Sequence, residues 1–293
     1  MADHCDLASS RGFVLATKTK QLTTAFACLI FFGCAGKSPQ QVSDSGFGAF
    51  EVSLATLDDR MAVAWYDTRN GNADIYLRII DSNGRPGSPE YRLPRSTDQS
   101  YEVSIDTLGD DIAVAWYEKS ATGLHRAQLG VWPAGGEAAW SRPLPDIGIE
   151  SRIPVLRTYG DRIFCAWVGK DEVGAEFVWG AWWDKTGSPL GSPINLGRAS
   201  PRTWNLNAAI DNGGIAHVVF DAVSDTTAEE IFLARVDGSS TTLMQVTRDD
   251  GYTSKYPDLV FSPGAVALTW FDERDGNKEV YLHISPDLEL GGG

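Results

Sequence analysis

Ala62-Val63-Ala64-Trp65-Tyr66-Asp67 returns further along the chain as Ala113-Val114-Ala115-Trp116-Tyr117-Glu118. Looser copies follow at Phe164-Cys165-Ala166-Trp167, Ala216-His217-Val218-Val219-Phe220-Asp221 and Val266-Ala267-Leu268-Thr269-Trp270-Phe271-Asp272. Each copy is a short apolar run bounded by turn residues. Such runs recurring at about fifty residues are the signature of a β-propeller. The period sets the architecture and leaves the activity open, because propellers host many unrelated functions.

The second copy displays the whole unit. Residues 101–107 alternate apolar and polar positions, as a half-buried strand does. Residues 108–111 turn, and 112–117 form a nearly continuous apolar strand. A third strand is expected near 124–131 and a fourth near 140–144. Turn chemistry recurs between the first two strands at Asp58-Asp59, Gly109-Asp110, Gly160-Asp161, Asn212-Gly213-Gly214 and Pro263-Gly264. The fifth repeat has candidates for three strands, at 256–261, 266–271 and 279–284, and none for a fourth. Residues 40–44 align with 244–248, the outer strand of the fourth repeat. The expectation is an all-β, five-bladed β-propeller over residues 40–293, closed by an N-terminal outer strand. Closure of this kind removes exposed sheet edges.

The chain has 293 residues, ten of them Trp, with 25 Lys plus Arg against 39 Asp plus Glu, a formal charge of −14. That balance excludes nucleic acid as a partner, since phosphate binding needs a basic surface. Lys18 and Lys20 precede an apolar run over 22–32 that ends at Gly33-Cys34-Ala35. A positive region, a short apolar core and a small residue before the cut describe a secretory signal over 1–33. Residues 1–13 exceed what a leader needs, so a start near Val14 or Leu15 is plausible. The placement of Cys34 resembles a bacterial lipoprotein signal, which implies lipidation at Cys34 and a linker over 34–39. The expected location is the bacterial cell envelope, as an outer-membrane lipoprotein, otherwise periplasmic or secreted. Cys165, inside an apolar run, reads as a buried structural thiol. No disulfide or zinc pattern is present.

Two stretches carry a family likeness. Residues 245–257, and Trp270-Phe271-Asp272-Glu273-Arg274-Asp275-Gly276-Asn277 with Tyr281, resemble repeats of secreted bacterial sialidase-like propellers and of TolB-like propellers. Trp65-Tyr66-Asp67-Thr68-Arg69-Asn70-Gly71-Asn72 repeats the device. Arg152-Ile153-Pro154 resembles the Arg-Ile-Pro motif of sialidases, whose arginine grips a substrate carboxylate by bidentate hydrogen bonds. The resemblance implies a six-bladed sialidase-like propeller as the alternative fold. It implies a binding set of Arg152, Arg69 and Arg274. Within the residues themselves, Asp67 with Arg69 and Asp272 with Arg274 also fit as pairs that orient a turn.

Antiparallel first and second strands bring the start of one and the end of the other to a common face. That face is expected to collect Glu51, Glu102, Arg152 and Lys255 from the strand starts. Asp67, Glu118, Asp221 and Asp272 come from the strand ends. Such a ring offers acid and base for glycoside cleavage, or oxygen ligands for a structural calcium ion; no other cofactor or metal is expected. Trp179, Trp182 and Trp183 offer either a sugar-stacking platform or packing between blades. The leading expectation is a non-catalytic binding module for a glycan or an envelope protein, monomeric and held to the membrane only through its lipid. The alternative is a sialidase-like glycoside hydrolase acting on an anionic sugar.

Overall fold

The computed structural model describes residues 39–286, apart from 94–95, 135, 201–202, 204, 225–226 and 263–264. The leader and Cys34 lie outside the described residues. The chain divides into two compact units, Met1–Pro39 and Gln40–Gly293, and every described strand belongs to the second.

Among the described residues, nineteen strands form five antiparallel sheets. The first is β1 (Ala49–Leu57), β2 (Arg60–Asp67), β3 (Asp74–Ile80) and β4 (Tyr91–Arg92). The second is β5 (Gln99–Leu108), β6 (Asp111–Lys119), β7 (His125–Pro133) and β8 (Trp140–Pro143). The third is β9 (Glu150–Tyr159), β10 (Arg162–Lys170), β11 (Glu176–Asp184) and β12 (Ile194–Arg198). The fourth is β13 (Leu206–Ile210), β14 (Ala216–Val223), β15 (Glu229–Asp237) and β16 (Ser240–Gln245). The fifth has, among the described residues, β17 (Ser254–Ser262), β18 (Ala265–Asp272) and β19 (Glu279–Ser285). Strands pair in sequence order, each to the next, as in the blades of a β-propeller. The second strand of each sheet is the apolar phrase read from the sequence, and it is central because both its edges are paired.

Two-residue turns at Asp58-Asp59, Gly109-Asp110 and Gly160-Asp161 join first strand to second. The first residue of each has positive φ, +53°, +64° and +57°, as hairpin turns of this length demand. Between β2 and β3 the Gly71 N–H returns to the Thr68 carbonyl at 3.0 Å, with φ of +79°. Gly276 repeats this in the fifth sheet with Glu273, at 2.9 Å.

Consecutive inner strands pack on one another, β1 on β5, β5 on β9, β9 on β13 and β13 on β17. The core lies between sheets. Ala62, Ala64, Ile75, Leu77 and Ile79 of the first sheet bury against Val103, Ile105, Val114 and Trp116 of the second. Burying such side chains stabilises by about 1.5–3 kcal/mol each.

The two ends of this series differ from its interior. Val103 is 9% exposed, whereas Val52, its counterpart in the first sheet, is 72% exposed. Leu77 is 1% exposed, whereas Leu282, its counterpart in the fifth, is 57% exposed. The expected N-terminal closing strand is not formed either. Residues 40–44 have no strand structure, and among the described residues the fifth sheet is three-stranded. Instead Val42 packs against Val63, Trp65, Tyr76 and Ile80 of the first sheet. The Arg78 guanidinium donates to the Val42 carbonyl, and the Asp44 N–H donates to Glu90 at 2.6 Å. The segment's one apolar anchor and its backbone are thus satisfied on the flank of the first blade.

Candidate active site

Four of the five inner strands share a local distortion. Register breaks between Phe50 and Ser53, Tyr101 and Ser104, Lys255 and Asp258, and opposite the third inner strand between Ala166 and Val168. At each break stands a residue in the left-handed region: Glu51 (φ +48°), Glu102 (+48°), Ile153 (+53°) and Tyr256 (+56°). None is glycine. Non-glycine residues held there cost of order 1–3 kcal/mol each and persist where surrounding structure enforces them. The bulge re-aims one side chain at the strand start of each of these four blades. In the first two blades that side chain is a glutamate.

Glu51 and Glu102 meet across the junction of their blades. The Glu102 N–H donates to Glu51 Oε2 at 3.0 Å. Glu51 is exposed, and Glu102 is partly buried with Oε2 lacking any hydrogen-bond partner. Burial first, and the charge of Glu51 second, push Glu102 up to about 7, with Arg152 pulling the other way. A carboxyl of this kind is protonated for much of the neutral range, as a general acid needs. Tyr66, Tyr101 and Tyr117 stand beside the pair. Burial, then the charges of Glu102 and Glu51, hold the Tyr117 phenol far above its ordinary range, so it remains a neutral donor.

The strand-end acids have other employment. Asp67 is buried and receives the Arg69 backbone N–H at 2.7 Å and its guanidinium at 2.6 Å. Asp272 receives Arg274 in the same way, together with Ser254 at 2.8 Å and the Trp270 indole at 3.1 Å. Burial opposes the Asp272 charge, but those donors hold its carboxyl well below the usual range. Both pairs lock turns. Glu118 accepts from Gln128 at 3.2 Å, and burial raises it. Asp221 is buried beside Asn205, and burial pushes it up to about 6.

The cations are likewise engaged. Arg152 is buried, with its guanidinium 2.6 Å from Glu176 and 2.7 Å from the Thr203 carbonyl. Lys255 meets Glu229 at 3.0 Å. Arg69 also reaches Glu90. Arg69 and Arg274 sit at corresponding turns of the first and fifth sheets, each folded onto its own aspartate, rather than at strand starts with Arg152. Trp182 packs on Phe164 at 5.0 Å with the rings tilted, and Trp183 packs near Trp167 at 6.3 Å, while Trp179 is partly buried against the core that holds Trp183. Among the described residues, no group of three His, Cys, Asp or Glu is placed to hold a metal ion.

The aromatic wall beside the glutamates was not anticipated from the sequence. Phe50, Tyr66, Tyr101, Tyr117 and His125 form a continuous row with ring centroids 5.2, 5.1, 5.7 and 5.2 Å apart. Its signal lay in the repeat. An aromatic precedes the bulged glutamate in both blades, and tyrosine is penultimate in both apolar phrases.

No family model matches the chain, and no curated protein does. Solved structures match in fold. A protein of unknown function from Dyadobacter fermentans DSM 18053 is 12% identical, covering 84% of this chain and 80% of that one, with a TM-score of 0.55. An endo-arabinase from Bacteroides thetaiotaomicron VPI-5482 is 10% identical, covering 79% and 92%, with a TM-score of 0.45. An α-L-arabinofuranosidase from Lactobacillus brevis is 9% identical, covering 80% and 90%, with a TM-score of 0.47. At these identities the likeness is one of fold, and it shows a β-propeller without singling out the sialidase-like or TolB-like kind. The expectation of a non-catalytic binding module is corrected. The shared face carries a protonatable carboxyl, Glu102, beside a second carboxylate, Glu51.

Proposed function

We propose that this chain is a glycoside hydrolase whose acid and base are Glu102 and Glu51. The observation that carries the reading is their meeting at the strained bulges of adjacent blades, with one carboxyl buried and raised to about 7. Glycoside cleavage needs two carboxyl groups in different protonation states at one bond. Glu102 donates its proton to the departing glycosidic oxygen. Glu51, the more exposed of the two, provides the carboxylate that activates water or attacks the sugar. Glycoside-cleaving enzymes among the fold neighbours are in keeping with this chemistry.

The experiment is turnover of a broad panel of natural and aryl glycosides by the purified protein. Glu102→Gln is expected to lower the rate by about 10²–10⁴-fold, the usual worth of a positioned general acid. Wild-type protein inert on every class of glycoside would overturn the assignment. We further place the enzyme in the bacterial envelope, exported and held by a lipid on Cys34. Mass spectrometry of the mature N-terminus tests this, and an unmodified terminus at another residue would refute it.

A further inference from the structure

We infer that the site takes the interior of an uncharged glycan chain, laid along the row of aromatic rings that crosses the first two blades. This rests on the hydrolase reading above and names its substrate class.

The row breaks the repeat in an informative way. In the first two blades the residue before the bulge and its partner on the second strand are both aromatic, Phe50 opposite Tyr66 and Tyr101 opposite Tyr117. In the third and fifth blades the same register positions hold Arg152 opposite Val168 and Lys255 opposite Phe271. Pairs needed only to cement neighbouring blades would serve every junction alike. Instead the double aromatics coincide with the two blades that carry Glu51 and Glu102. Phe50 is exposed, and Tyr66, Tyr101, Tyr117 and His125 each remain partly open to solvent. Aromatic faces beside water bury the apolar faces of sugar rings well, and phenol hydroxyls supply the polar contacts. A run of five rings over two blades, each 5.1–5.7 Å from the next, offers more faces than one sugar unit covers, so it fits a chain rather than a single terminal residue.

Charge decides the rest. Arg152 and Lys255 occupy the strand starts on the other side, and each faces a protein carboxylate, Glu176 and Glu229. Lys170 faces Glu150 at 3.3 Å. Lys119, at the end of β6, lines a separate cleft with Asn72, Thr97 and Gln99. An anionic sugar beside Glu51 and Glu102 would meet repulsion from the Glu51 carboxylate, and from a chain of formal charge −14. An uncharged chain meets neither.

The test is isothermal titration of the intact protein with linear cello-, xylo- and arabino-oligosaccharides, from disaccharide to hexasaccharide, and with sialyllactose beside lactose. Affinity is expected to rise with chain length for at least one uncharged series. Tyr101→Ala is expected to weaken the hexasaccharide about tenfold and the disaccharide little. Tyr101→Phe, which keeps the ring and loses only the hydroxyl, should weaken the hexasaccharide clearly less than Tyr101→Ala does. If Tyr101→Ala folds poorly by circular dichroism, Tyr101→Leu replaces it with the same expectation. Affinity independent of length, equal loss for short and long chains, sialyllactose preferred over lactose, or no binding in any uncharged series would each overturn the proposal. A hexasaccharide bound in the expected way but never cleaved would sink the hydrolase reading and leave the binding row standing.

Discussion

Glu51 Oε2 accepts the backbone N–H of Glu102 at 3.0 Å, so the carboxylate of the first blade is fastened to the strained bulge of the second. The contact sets both the position and the electrostatics of the pair. Glu51 cannot move away from Glu102 without freeing that N–H, and its charge acts on Glu102 wherever the bulge holds.

Glu51→Gln should therefore lower the titration midpoint of Glu102. Burial is the larger cause of the shift and Glu51 the second, so the midpoint should fall part of the way from about 7 towards 4.5. Carbon-13 NMR of the glutamate carboxyls reads this directly. A midpoint that stays or rises would show that the two groups do not share a site.

The same raised acid affects stability. A carboxyl whose folded value lies above its unfolded one favours folding in the protonated state. That contribution is complete below about 4.5 and is lost as pH rises through about 7. Denaturant unfolding of wild type should show stability declining across this window. Glu102→Gln removes the decline and should make the protein more stable at pH 8 by roughly 2 kcal/mol. Identical pH profiles for the two proteins would contradict the burial of Glu102.

Much of the fold was legible because each repeat states it again. The apolar phrases became β2, β6, β10, β14 and β18, and the Asp–Arg turn pairs formed as the spacing of Asp67 with Arg69 and Asp272 with Arg274 implied. The site was legible in part. Glu51 and Glu102 stood out as acids at strand starts, yet nothing in their identity announces positive φ, which glycine normally advertises. Arg152-Ile153-Pro154 matched a motif by letters. In the structure the arginine is claimed by Glu176, a residue of another strand that no local pattern connects to it. The closing strand was misplaced for a similar reason. Residues 40–44 match an outer strand locally, but Arg78 and Glu90 of the first blade capture the segment.

Asp272 is expected to be structural and not catalytic. It is buried and takes hydrogen bonds from Arg274, Ser254 and Trp270. Asp272→Ala leaves four donor groups short of an acceptor and should cost roughly 3 kcal/mol in chemical denaturation. Because its folded value is depressed, the stabilisation is present above about 3.8 and lost as pH falls further. Wild type should therefore lose this term in acid while Asp272→Ala does not. Bound-ligand affinity of the variant, measured under conditions where it is folded, should match wild type.

The ends of the blade series offer the sharpest test of how the chain sits in solution. Leu77 and Leu282 occupy one register position, opposite Ala64 in the first sheet and Thr269 in the fifth. Leu77 is buried against the second sheet, whereas Leu282 is exposed. Val103 and Val52 form a matching contrast on the opposite face of a blade. Leu77→Lys and Val103→Lys bury a charge in the core between sheets and should prevent stable folding, or cost more than about 4 kcal/mol. Leu282→Lys and Val52→Lys place the same charge in water and should change stability by no more than about 0.5 kcal/mol. A ring sealed between the fifth and first blades would bury both outer positions. In that case the outer lysines would destabilise nearly as much as the inner ones, and thermal denaturation of the four variants side by side separates the two arrangements.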